Sequence, residues 1–104
     1  MNRMLRFAFS PNIDLHEVEN TLHLAVFAVE GLVGRVRVGL DTDCLVDEPG
    51  RSILIDEATF AGWLIARVFA ALLAREFGEK AFNASRLRHP RVNNHAIQVE
   101  EVVA

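Results

Sequence analysis

The chain has 104 residues and a mass of 11.6 kDa, room for one domain and too little for two. Hydrophobic residues make up 51% and charged residues 24%, which excludes a disordered composition. A formal net charge of −3 argues against a nucleic-acid binder that works by blanket phosphate neutralisation. The single cysteine excludes an internal disulfide framework and a CxxC metal knuckle.

The N-terminal stretch MNRMLRFAFS holds two arginines and an apolar run too short for a signal-peptide core. A cytoplasmic location is therefore expected, and a lone thiol agrees with it. The most apolar segment, Ala58 to Ala74, carries Arg67 near its middle. It is shorter than the roughly 20 apolar residues that a membrane-spanning helix needs. A buried helix is the better reading, and no membrane association is expected.

Met4 to Phe9 reads as a strand, with Leu5, Phe7 and Phe9 alternating with Met4, Arg6 and Ala8. Ser10-Pro11-Asn12 stops it. Asp14 then opens a helix, with Glu17 three residues on in a capping-box-like start. Leu15, Val18, Leu22, Ala25, Val26, Val29 and Leu32 share its apolar stripe, and Gly31 or Gly34 ends it. Arg35 to Val46 alternates with period two and reads as a long strand. Glu48-Pro49-Gly50-Arg51 is a turn in which Gly50 is expected to take the positive φ. Ser52 to Ile55 is the return strand. A second helix, capped by Asp56 or Thr59, runs to Phe77, where Gly78 stops it. Phe82 to Leu87 reads as a fourth strand, His89-Pro90 as a break and Asn93-Asn94 as a turn. Ala96 to Val103 is an optional fifth strand.

The resulting order is β-α-β-β-α-β, an α+β two-layer sandwich of the split βαβ or ferredoxin-like kind. It has an antiparallel sheet with two helices on one face. Residues 1–88 form the single domain and 89–104 a C-terminal extension. Both helix N-termini are expected at the same end of the sheet. Asp14, Glu17, Asp56 and Glu57 occupy those ends, so self-capping is a better reading than phosphate binding. The architecture hosts many unrelated functions and transfers none.

The second helix is apolar nearly all the way round, with Arg67 and Arg75 on a narrow arc shared with Ala71 and Ala74. A helix lying on a sheet needs an apolar stripe of only about 100° or somewhat more. Each large side chain left wet forfeits on the order of 1.5–3 kcal/mol. A homodimer is therefore expected, with Leu24, Phe27, Trp63, Phe69 and Leu73 at its interface. The alternative is that the C-terminal segment folds back over this surface.

Candidate chemistry is sparse. His16, Glu19, Asn20 and His23 share a helical face, but HEVEN is not HExxH. Its histidines stand two turns apart, roughly 10 Å, so a solvated polar face is the better reading and no metal is expected. Asp41, Asp43, Asp47 and Glu48 lack the glycine and alternation of a calcium loop, and Asp41 and Asp43 share a strand face with Arg35 and Arg37. Cys44 has inward parity and reads as an inert buried thiol. No Gly-rich phosphate loop and no GxSxG elbow occurs. On the open sheet face the candidates are Arg6, Ser52, Leu54 and Asp56, without the aromatics on which RNA bases stack. Arg6, Arg35, Arg37, Arg86 and Arg88 are weighed as a basic patch for an anion. Arg35, Arg37 and Arg67 are the candidate ligand-binding residues. Arg67 is isolated in the apolar helix. If buried, it must pair with a carboxylate or a carbonyl, for instance across a dimer interface, or stack on Trp63 one turn earlier. Otherwise it snorkels to water, and a structural role is the favoured reading. No catalytic residue and no cofactor is assigned. The leading expectation is a self-associating protein that binds a protein partner or small ligand. Its rival is an enzyme with a site in the sheet–helix cleft or at a dimer interface.

Overall fold

A computed structural model describes residues 3–87, 91–92, 97–98 and 101–103. Strand β1 (Met4–Phe9) buries Leu5, Phe7 and Phe9 and leaves Met4, Arg6 and Ala8 partly exposed on the other face. Helix α1 (Leu15–Val33) starts where the Asp14 carboxylate accepts the His16 N–H at 2.9 Å. Its buried stripe is Val18, Thr21, Leu22, Ala25 and Val29. Leu32, placed on that stripe by periodicity, is 71% exposed instead. Gly34 ends the helix at φ +97°, a region open to glycine and strained for other residues.

The expected strand from Arg35 does not form. Helix α2 (Arg35–Asp41) comes first, and β2 (Cys44–Asp47) is short. The alternation of RVRV is ambiguous at this length. Burial of Val38 (2% exposed) and the backbone cap from Thr42 to the Val38 carbonyl settle the segment as helix. The Arg37–Asp41 pairing, expected along a strand face, spans one helical turn at 3.3 Å.

Strand β3 (Ser52–Asp56) returns from β2. In the connecting turn, the Arg51 N–H donates to the Glu48 carbonyl at 3.0 Å. The positive φ falls on Arg51 (φ 49°) rather than on Gly50. A tight turn followed by one left-handed residue is a common hairpin closure. Arg51 tolerates it because its guanidinium Nη2 donates to the carbonyls of Ser10 (2.8 Å) and Ile13, tying the hairpin to the loop between β1 and α1.

Helix α3 (Phe60–Phe77) is capped by Thr59, whose Oγ1 accepts the Gly62 N–H at 3.1 Å and donates to the Asp41 carbonyl at 2.6 Å. Asp56 serves the preceding turn, accepting the Ala58 N–H at 2.9 Å. A 3-10 turn (Glu79–Ala81) leads into β4 (Phe82–Leu87).

The sheet order is β2-β3-β1-β4, with antiparallel neighbours throughout, and a last short strand (Glu101–Val103) adds to the outer edge of β4. Because β1 and β3 are antiparallel, α1 and α3 begin at opposite ends of the sheet, which corrects the expectation of a shared end. Ile97–Gln98 pairs with Arg91–Val92, so the single strand expected over 96–103 is divided. His89, Pro90, Asn93 and Asn94, read as a break and a turn, lie outside the described residues.

The core lies between one sheet face and the helices. Phe7 meets Phe69 edge to face at 5.0 Å between ring centroids, and Ile53, Ile55, Ile65, Val18 and Val29 are fully buried around them. Phe69 and Leu73, expected at an interface between subunits, are 0% exposed within the single chain. They point at the sheet and α1 because the α3 stripe Ala61, Ile65, Phe69 and Leu73 is the one turned inward.

Candidate functional site

The inward face of β4 carries Phe82, Ala84 and Arg86, which lie opposite Phe9, Phe7 and Leu5 of β1. A charged residue thus stands in a row otherwise apolar. Its partner is Glu57, the first residue after β3, whose backbone N–H donates to the Arg3 carbonyl at 2.8 Å. Glu57 is 8% exposed, and its Oε1 accepts a hydrogen bond from Arg86 Nε at 2.8 Å. A carboxylate so far from water needs such a charge-assisted partner.

Above this pair α3 presents Ala66, Arg67 and Ala70. The small side chains leave a groove of about 280 Å³ whose walls are Leu5, Phe7, Glu57, Ala66, Arg67, Ala70, Ala84 and Arg86. The lining is apolar apart from the guanidinium groups of Arg67 and Arg86 and the buried carboxylate of Glu57. Arg67 also stacks over the Trp63 ring, 4.8 Å from its centroid, and Trp63 stacks on Phe60 at 6.2 Å and 18°. The outer edge of the groove therefore continues into an aromatic ladder along the exposed side of α3.

Of the arginines singled out by sequence, Arg67 and Arg86 line this groove. Arg35 and Arg37 lie on α2, both exposed, with Arg37 paired to Asp41. The suggested patch of Arg6, Arg35, Arg37 and Arg86 is not one surface: Arg6 shares the open sheet face, Arg86 the helix-covered face, and the other two a helix. Arg88, its fifth member, lies outside the described residues. By sequence Glu57 is only a helix-end charge. The signal for its role was the inward parity of Arg86, a charge in an otherwise apolar row.

Leu24, Phe27 and Trp63 are exposed at 55%, 71% and 39%. Leu32 of α1, Val36 and Leu40 of α2, and Phe60 of α3 are exposed as well. Among large hydrophobic residues exposed in the described part of the chain, Leu45 alone lies off the helices. His16, Asn20 and His23 are exposed on α1.

Cys44 faces inward beside Ile55 and is partly buried. Burial, with a smaller contribution from the neighbouring Asp43 charge, pushes its thiol up to about 11, so it is protonated at neutral pH. Among the described residues no helix is long and apolar enough to cross a membrane. No protein-family model, curated protein or solved structure matches the chain.

Proposed function

We propose that this chain is a binding module that pairs with a second copy of itself through the outer face of its helical layer. One observation carries the reading: Leu24, Phe27, Leu32, Val36, Leu40, Phe60 and Trp63 are all exposed, and all lie on α1, α2 or α3. Patches of this kind on small proteins mark interaction sites. The stacked Phe60–Trp63–Arg67 ladder supplies the aromatic and arginine anchors in which interface energy concentrates. Light scattering at micromolar concentration should give twice the chain mass, and replacing Leu24 and Phe27 together with aspartate should return it to the chain mass. A chain-mass particle at every accessible concentration overturns the pairing. A protein partner docking on the same face is the alternative occupant.

The arrangement itself we read as a split βαβ, ferredoxin-like sandwich with α2 inserted after its first helix. Support for this comes from β1 standing between β3 and β4, and from α1 and α3 each linking strands one neighbour apart. A cytoplasmic site of action belongs to the same proposal and rests on the single protonated thiol. The rival reading, an enzyme acting in the sheet–helix cleft, draws on the groove under α3. There Glu57 is the acid–base group, and its commitment to Arg86 favours binding over proton transfer.

A further inference from the structure

We infer that the groove between α3 and the β1–β4 edge is a binding site for a small amphipathic carboxylate. The groove shares Arg67 with the proposed self-association face, but its other walls are separate from the exposed apolar residues of that face, so Ala70→Leu tests it independently of pairing.

The chemistry follows from the lining. Leu5, Phe7, Ala66, Ala70 and Ala84 form an apolar bed suited to a hydrocarbon body. The exposed Arg67 and Arg86 carry two positive charges against the single buried carboxylate of Glu57, so the groove favours a monoanion. Glu57 accepts only the Nε edge of Arg86, at 2.8 Å, which orients the guanidinium. The terminal N–H groups of Arg86 form no hydrogen bond among the described residues, and their fork matches a carboxylate. Glu57 is thus a positioning residue. Arg67 is set from the other side by the Trp63 ring, 4.8 Å from its centroid.

Size restricts the ligand further. The groove measures about 280 Å³. A carboxylic acid with a short chain of carbons suits a groove of this volume.

The test is an amide chemical-shift titration of the full chain with hexanoate, hexan-1-ol and hexylammonium. Hexanoate should shift the amides of Ala66, Ala70 and Ala84 saturably in the millimolar range, with hexan-1-ol about tenfold weaker and hexylammonium weaker still. Arg67→Gln, at an exposed position, should weaken hexanoate about tenfold while leaving the spectrum of the folded chain intact. Ala70→Leu, which fills the groove with apolar volume, should abolish binding and keeps the experiment decisive should Arg67→Gln fail to fold. Absence of a saturable shift overturns the site. So does equal binding of alcohol and carboxylate, or hexanoate binding that Ala70→Leu leaves unchanged.

Discussion

Glu57 and Arg86, 29 residues apart in sequence, close a 2.8 Å ion pair between the end of β3 and the inward face of β4. The two sides are unequal: the Glu57 side chain is 5% exposed and that of Arg86 51%. Removing the arginine strands a carboxylate away from water. Removing the carboxylate leaves an arginine that can turn outward. Arg86→Met should therefore cost about 1–3 kcal/mol, the lower end reflecting solvent screening of the exposed partner. Glu57→Gln should cost less. Combining the two should recover part of the Arg86→Met loss, since no buried charge is left unpaired. Urea unfolding of the three variants measures this.

Gly62 and Gly39 should respond oppositely to alanine. A Cβ on Gly62 would overlap the Asp56 carbonyl oxygen, because the first turn of α3 lies against the end of β3. Gly62→Ala should destabilise by about 2 kcal/mol or more. A Cβ on Gly39, inside α2, meets nothing within 4 Å. Gly39→Ala should stabilise by about 0.5–1 kcal/mol through helix propensity. Thermal melts distinguish the two, since 1 kcal/mol moves the midpoint by roughly 4–8 °C in a domain of this size.

At Arg51 two effects compete. Its backbone sits at φ 49°, where glycine is preferred, while its side chain donates to the Ser10 and Ile13 carbonyls. Arg51→Gly relieves about 1 kcal/mol of backbone strain and gives up two charge-assisted hydrogen bonds at about 1.5–3 kcal/mol each. The bonds win, so the variant should be less stable. A neutral or stabilised Arg51→Gly in urea unfolding would show that the loop between β1 and α1 does not need the tether.

Cys44 yields a pH prediction. Its folded-state pKa is raised from 9.0 to about 11. Between those values the folded state binds more protons than the unfolded state, so stability should fall as pH rises through that window. Below it the contribution is fully present. Cys44→Ala should flatten this part of the pH dependence. At pH near neutrality the thiol should react with iodoacetamide far more slowly than in denaturant.

Local chemistry by itself determined most of the elements. Period-two alternation placed β1, the Gly78 stop ended α3, and Glu48–Arg51 closed the hairpin, because each depends on neighbours within a few residues. The path from Arg35 to Val46 did not yield to the same reasoning. Alternating Arg and Val suits a strand as well as one turn of helix, and only burial of Val38 by the rest of the fold settles the matter. The apolar circumference of α3 was legible, but not its rotation. Tertiary packing sends Phe69 and Leu73 into the core and leaves Phe60 and Trp63 outside. The groove was still less accessible to sequence. Arg67 stood out as an isolated charge, yet Glu57 and Arg86 meet only because antiparallel pairing sets Arg86 across from Leu5 and brings the end of β3 alongside. Contacts between distant segments are products of register and layer packing, and no local periodicity encodes them.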